Sequence, residues 1–234
     1  MNESSNDVMR PTPRTIGIIW LAYFVVGIPA LTMLRGMVVK SDAAATAQNI
    51  MAHVGLFQTS ASIDLLGNAL YIALTALLYG FFRPVNRNLA LTAAFFSLTG
   101  CIVQIIAGLL RIVPPYLLND AQLASAFSAQ QLQAAMMFGL TMYSKAFLIS
   151  FPLFGLFELV TGYLILQSTF LPRWLGYWWL IGGVSWVIFL WPPLATTLQG
   201  VVIVLAGPAE LAFALLLIVK SGDIARRRAA AGNG

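Results

Sequence analysis

The sequence is poor in charged residues. Only 9% of its 234 residues are Asp, Glu, Lys or Arg, whereas 59% are hydrophobic and the mean hydropathy is +0.84. Soluble domains carry about 25% charged residues. The charged side chains are therefore too few to cover a water-facing surface, and the composition predicts one polytopic membrane domain of the all-α class, in contact with the lipid bilayer.

Histidine and cysteine are almost absent. His53 and Cys101 are the single examples of each. Ligation of haem by two histidines of the chain is therefore excluded, and a zinc site would lack ligands. A lone cysteine also excludes an internal disulfide. No G-x-S-x-G, Walker or H-E-x-x-H motif occurs, so the sequence predicts no cofactor and no metal and favours a non-enzymatic role.

Six apolar stretches are long enough to predict membrane-spanning helices. They cover residues 15–39, 60–82, 89–110, 137–167, 174–191 and 199–219, which we number spans 1 to 6. Pro114 and Pro115 are expected to end span 3. The predicted organisation is a polar tail (1–14), one six-helix membrane domain (15–219) and a basic tail (220–234).

Two polar segments between the spans have the pattern of short amphipathic helices. In residues 40–59, Asp42 suits a helix N-cap and apolar residues recur at helical spacing after it. In residues 119–135, Asn119 or Asp120 has the same role. We expect both segments to lie on the membrane surface, in the first and third loops.

The distribution of Lys and Arg predicts the orientation. With the N-terminus inside, the cytoplasmic basic residues are Arg10, Arg14, Arg83, Arg87, Arg173, Lys220, Arg226, Arg227 and Arg228. The opposite side receives Arg35, Lys40, Arg111 and Lys145. Basic residues accumulate on the cytoplasmic side of membrane proteins, so an N-in, C-in topology is expected. The positive charge therefore has a topological explanation, and nucleic acid is not expected as a partner.

Two glutamates lie deep in the apolar stretches. Glu158 is in the middle of span 4 and Glu210 in the middle of span 6. A charge at the centre of a spanning helix costs about 2.5–3.5 kcal/mol on insertion scales. Each glutamate must therefore carry a proton or meet a cation or a hydrogen-bond donor. Packing of helices, binding of a ligand or proton, and contact with a partner subunit all remain open as their role.

The other polar residues of the spans gather in the half that the predicted topology turns away from the cytoplasm. This asymmetry predicts an outward-facing polar pocket lined by acid and base. The candidate ligand-binding residues are Glu158, Glu210, Asp64, Gln104, Arg35, Arg111 and Lys145. For Asp64, which is near the rim, an ion pair with Arg111 or Lys145 is the simpler expectation.

Span 5 is rich in tryptophan. Its tryptophans are Trp174, Trp178, Trp179, Trp186 and Trp191. Those near its ends are expected as interfacial anchors. Trp186, beside Gly182 and Gly183, indicates a close helix contact or a docking face for a membrane partner or a flat ligand.

Several segments resemble a known family of bacterial membrane proteins. They are RTIGIIWLAYFVVGIPA (14–30), DAAATAQNIMAHVGLF (42–57), RPVNRNLAL (83–91), GYLILQSTFLPRWLG (162–176) and the pair of Glu210 with LLLIVKSG (215–222). The chain is similar in these segments to the domain of unknown function 4386 family. The resemblance implies a compact bacterial polytopic protein with no assigned activity, and it assigns no role to any residue.

Three functions are consistent with the sequence. The outer-half polar residues favour a binding or accessory protein for a small amphiphilic or cationic ligand. The tryptophans of span 5 favour a structural subunit of a larger membrane complex. An enzyme acting on lipid or isoprenoid substrates, with a carboxylate as general acid or base, is the third.

Overall fold

The computed structural model describes residues 12–231. The side chains of Ala30, Leu31, Thr32, Arg35, Pro192, Thr196, Gln199 and Ala231 lie outside this description, as does most of the predicted polar tail (1–14). Within residues 12–231 the chain is helical and contains no strand. The predicted all-α class is therefore confirmed.

The helices follow the order of the apolar stretches. They are α1 (Pro13–Met37), α2 (Ala43–Ala52), α3 (Val54–Phe82), α4 (Arg87–Asn119), α5 (Ala121–Ala126), α6 (Ala129–Gln167), α7 (Arg173–Val187), α8 (Pro192–Val219) and α9 (Ser221–Ala231). A 3₁₀ turn (Ile188–Leu190) follows α7.

Within residues 12–231, four helices are long and apolar enough to cross a membrane. The qualifying segments are Val54–Phe82, Arg87–Asn119, Ala129–Gln167 and Gly200–Val219. The apolar part of α1, Pro13–Pro29, is shorter, and α7 has 15 residues. About 20 apolar residues are needed to cross the hydrocarbon core. The chain is thus a membrane protein by the character of its helices.

The prediction that Pro114 and Pro115 end a helix is wrong. Both lie inside α4, which continues to Asn119. A proline removes one N–H and frees the carbonyl four residues earlier, which for Pro114 is that of Leu110. The backbone of α6 passes close to this carbonyl, because a Cβ added at Gly139 would lie 3.5 Å from it. Packing against a neighbour therefore carries α4 beyond its two prolines.

Short helices occur in both predicted surface segments. Asp42 caps α2, accepting a hydrogen bond from Ala45 N at 2.8 Å, and Asp120 caps α5. The helix after α2 begins earlier than expected, at Val54, with His53 as the C-cap of α2. An Asp side chain at these positions satisfies backbone N–H groups that have no partner within the helix.

The chain forms two compact units, and α1, α3, α4 and α6 each contribute a segment to both. The first unit comprises described residues 12–22, 71–100 and 151–231, and the second comprises 23–70 and 101–150. In the second unit the core includes Leu34, Ile50, Phe57, Met136 and Leu140. Helix α2 lies in the segment that was expected on the membrane surface, and its residues Ala47 and Ile50 are buried in that core. In the first unit, Trp20 of α1 packs against Trp179 of α7 and Phe213 of α8.

Candidate functional site: a carboxyl pair in the first unit

Two pairs of glycines bring α6 and α7 into close contact. A Cβ at Gly155 would lie 2.8 Å from the carbonyl oxygen of Gly183, and one at Gly162 would lie 3.0 Å from that of Gly176. Each pair therefore lets two backbones meet where no larger residue fits, as is common between membrane helices. The glycines within each helix are two turns apart, so they share one face.

Glu158 lies between these two contacts on α6. Its side chain is 2% exposed. The facing residue on α7 is Gly182, where a Cβ would lie 2.7 Å from Glu158 Oε2. The absence of a side chain at Gly182 thus provides the space that the carboxyl group occupies.

Glu210 reaches the same place from α8. Its carboxyl oxygen Oε2 accepts a hydrogen bond from Trp20 Nε1 of α1 at 3.1 Å. Helices α1 and α8 are close enough for this bond, because a Cβ at Gly17 would lie 2.5 Å from the carbonyl oxygen of Ala214. Unlike Glu158, Glu210 is partly exposed.

The carboxyl groups of Glu158 and Glu210 are neighbours: a Cβ at Gly182 would lie 2.7 Å from Glu158 Oε2 and 3.4 Å from Ala206 Cα, one turn before Glu210 on α8, and the two carboxyl groups interact. A carboxylate only accepts hydrogen bonds, so a bond between two carboxyl groups requires a proton on one of them. Glu158 Oε2 and Trp186 Nε1 are both buried without a hydrogen bond of good geometry among the described residues, yet the indole is near enough to the carboxyl group to act as its donor. No described Lys or Arg forms an ion pair with either glutamate. The pair therefore has unused capacity for a proton or a cation.

Aromatic rings pack around Trp20, whose indole donates to Glu210. The ring centroids of Trp20 and Trp179 are 5.5 Å apart, and Phe213 is 5.4 Å from Trp20 and 5.0 Å from Trp179. Phe157, next to Glu158, contacts Trp179 with centroids 6.1 Å apart. These four rings, the aromatic cluster, fill the space beside the carboxyl groups and keep it apolar.

The first unit also contains a small cavity. It measures about 10 Å³ and is lined by Thr75, Tyr79, Phe157 and Thr161 among others. Phe157 and Thr161 are within one turn of Glu158 on α6. A volume of about this size is the least that holds one water molecule. The hydroxyl groups of the two threonines and the tyrosine supply polar partners for it.

The second unit holds a separate polar cluster. Arg111, 1% exposed, forms an ion pair with Asp64 at 3.2 Å and donates a hydrogen bond to Ser60 Oγ at 2.6 Å. Tyr143 donates to the same Asp64 oxygen at 3.3 Å. The ion pair expected for Asp64 is thus made with Arg111, and it neutralises both charges.

The other predicted site residues are also in the second unit. Gln104 Nε2 donates to Ser150 Oγ at 3.0 Å, and Lys145 is exposed. The side chain of Arg35 lies outside the described residues. The predicted set is therefore divided, with Glu158 and Glu210 together in one unit.

The family assignment agrees with this helical membrane architecture. A family model described as "Domain of unknown function (DUF4386)" matches residues 15–221 of the 234 in the chain. The chain belongs to the DUF4386 family. The resemblance noted in the sequence is thereby confirmed. Comparison with curated proteins and with solved structures gives no match.

Membership of DUF4386 assigns no activity, so the site residues rest on geometry. The sequence of this DUF4386 chain indicated both glutamates, but it did not indicate that Trp20 donates a hydrogen bond to Glu210. Nothing in a single sequence distinguishes Trp20 from the other tryptophans, since its donor role depends on α1 packing against α8. The sequence indicated a close helix contact at Gly182, but it did not indicate that the carboxyl group of Glu158 occupies the space beside this glycine.

Proposed function

We propose that this protein is a membrane-embedded binding protein whose Glu158–Glu210 pair exchanges a proton for a small lipophilic cation. The observation that carries the proposal is the facing of two carboxyl groups within aromatic surroundings, with no Lys or Arg of the described chain paired to them. When no cation is bound, a proton on one carboxyl group allows that group to donate a hydrogen bond to the other.

The chemistry of the surroundings favours an organic cation over a hydrated metal ion. Indole and phenyl rings attract cations through their faces and tolerate apolar substituents. Trp20, Trp179 and Phe213 offer such rings beside the carboxyl groups, whereas no group of three or more potential metal ligands occurs in the described chain. A quaternary ammonium or phosphonium group fits this combination of negative charge and aromatic surface.

Entry of a cation requires the aromatic cluster to move. Its rings are in contact, with centroids 5.0–5.5 Å apart, and leave no room for a ligand between them. Glu210 is the accessible member of the pair, because it is partly exposed while Glu158 is buried. We infer that the cation meets Glu210 first and displaces the proton as it reaches Glu158.

Titration with tetraphenylphosphonium tests the proposal. The purified full-length chain in detergent is titrated calorimetrically in two buffers of different ionisation enthalpy, which counts the protons released. We expect binding with proton release that weakens as the pH falls. Glu158→Gln and Glu210→Gln should each lower the affinity at least tenfold, about 1.4 kcal/mol.

Asp223→Asn is the matched control, because it removes an exposed carboxyl group of α9, a helix that carries neither member of the pair. It should bind like the wild type. Equal affinity of the Glu158→Gln variant and the wild type would refute the proposal. A second result would also refute the proposal: the wild type does not bind the cation, and Glu158→Gln has a lower melting temperature than the wild type. This result is expected if the glutamates only pack helices.

We also propose the finer topology. The Lys and Arg distribution supports six spans with both termini inside a bacterial inner membrane, with α1 and α7 as the two shorter spans. The exposed apolar face of α7, formed by Trp174, Tyr177, Ile181 and Val184, suits lipid or the surface of a membrane protein partner.

A further inference from the structure

The ends of several helices in the first unit carry exposed positive charge. We name these residues the basic face: they are Arg14, Arg83, Arg87, Arg173, Lys220, Arg226 and Arg227, all exposed. Asp223 is the one exposed acidic residue of the described part of this unit, and its carboxylate pairs with Arg226. The arginine lowers the pKa of Asp223 from its ordinary value by a hydrogen bond and by its charge. The face is therefore strongly positive.

Contacts of α9 bring these helix ends together. The backbone N–H of Arg14, at the start of α1, donates to Ser221 Oγ at 3.2 Å. At the other end of α9, Arg228 Nη2 donates to the carbonyl oxygen of Gly80 at 2.7 Å and the guanidinium lies 5.0 Å from the Phe81 ring centroid. Helix α9 therefore bridges the start of α1 and the end of α3.

The turn between α6 and α7 belongs to the same end of the unit. The rings of Phe81 and Phe170 have centroids 5.3 Å apart, so the residues just before Arg173 contact the end of α3. Trp174, next to Arg173, is 52% exposed. Exposed tryptophan beside arginine is typical of the level of the lipid headgroups.

One side of α9 is held against the unit and the other is free. Ile224 is 3% exposed, and Arg228, four residues later, is partly buried. Gly80 is among the last residues of α3, whose carbonyls have no partner within the helix, so a guanidinium there is also favoured by the helix dipole. Arg226 and Arg227 consequently project from the unit.

We propose that the basic face binds the headgroups of anionic phospholipids in the leaflet that adjoins it. The spanning helices hold the face at the membrane, where lipid phosphates are the nearest anions. Attraction to them extends over about 8 Å at physiological ionic strength, which residues at helix ends reach. None of these residues belongs to the carboxyl pair, so this proposal and the proposed function stand or fall separately.

Competition between lipids tests this. The full-length chain is equilibrated with equimolar phosphatidylglycerol and phosphatidylcholine in detergent, and the bound lipids are counted by native mass spectrometry. The wild type should retain more phosphatidylglycerol, with a ratio that falls as salt is added. Arg227→Gln should lower the ratio by about fivefold, while Arg227→Lys, which keeps the charge, should restore it.

Lys40→Gln is the matched control, since Lys40 is an exposed cation of the second unit. It should leave the ratio unchanged. Equal retention of both lipids by the wild type, or an equal fall in the Lys40→Gln and Arg227→Gln variants, would overturn the proposal.

Discussion

Glu158 illustrates how one residue type signals a site and how its neighbours define it. A carboxyl group in an apolar helix is costly enough to require a partner, so its importance is readable in the sequence. Its carboxyl group lies next to Glu210 of α8 and occupies the space left by the missing side chain at Gly182 of α7. The chemistry of the site depends on those partners rather than on Glu158 alone.

Gly182→Ala should destabilise the protein. The added methyl group would lie 2.7 Å from Glu158 Oε2 and 3.4 Å from Ala206 Cα, so the carboxyl group must leave its place. We expect a loss of about 1–3 kcal/mol in the free energy of unfolding, typical of an overpacked core. Unfolding in a detergent titration, followed by circular dichroism, measures it.

Gly200→Ala on α8 provides the comparison, because a Cβ there has no neighbour within 4 Å. It should be neutral or stabilising by up to about 1 kcal/mol. Adding Glu158→Ala to Gly182→Ala should recover part of the loss, since the clashing carboxyl is then gone. A Gly182→Ala protein as stable as Gly200→Ala would contradict this account of the site.

For Asp64, in contrast to Glu158, the sequence already indicated the kind of contact that the side chain makes. From depth, Asp64 was predicted to pair with Arg111 or Lys145, and it meets Arg111 at 3.2 Å, with Ser60 and Tyr143 as further partners. Two opposite charges in an apolar medium each need neutralisation, so few alternatives exist for them. Gln104 and Lys145 have no such requirement, and their role in ligand binding stays a prediction.

Helix lengths depended on packing more than on local signals. Helix α4 continues through Pro114 and Pro115, and α6 begins at Ala129 rather than near residue 137. A proline pair or a polar segment lowers helix propensity, yet contacts with neighbouring helices outweigh a penalty of a few kcal/mol. Starts with a capping side chain, such as Asp42 before α2, were predictable because the cap is local.

Arg228→Gln should release α9 from the unit. The variant loses the hydrogen bond to the Gly80 carbonyl and the contact with the Phe81 ring, which hold the end of α9. We expect faster amide hydrogen exchange in α9 with no change in the spans, because locally unfolding segments exchange first. Mass spectrometry of the C-terminal peptide measures the exchange.

Arg227→Gln serves as the reference, since its side chain is exposed and makes no contact that holds α9. Its exchange should match the wild type. If both variants exchange at the wild-type rate, Arg228 is not the anchor of α9.

The membrane character of the entire chain follows from composition, whereas the number of spans does not. Four helices satisfy the length and hydropathy needed to cross a bilayer, and α1 and α7 are the two additional spans of the proposed topology. An odd number of spans would place the termini on opposite sides. Orientation is therefore the sharpest test of the six-span proposal.

Labelling with a membrane-impermeant maleimide in intact cells tests the topology. In a Cys101→Ala background, Asn119→Cys should be labelled and Asn88→Cys should be protected, because the charge distribution places residue 88 inside. Both positions are exposed, so burial in the protein does not protect either. Labelling of Asn88→Cys in intact cells, or protection of Asn119→Cys, would contradict the N-in, six-span arrangement.

Composition and periodicity alone were sufficient for the class, the membrane setting, most helix positions, both glutamates and the Asp64 ion pair. These properties arise from terms that act residue by residue, such as the transfer of apolar and charged groups into lipid. Tertiary packing decided that Glu158 meets Glu210, that Trp20 donates to the pair and that Gly182 makes room for it. Such contacts join residues on different helices, and their geometry depends on how backbones approach each other, which no local pattern encodes.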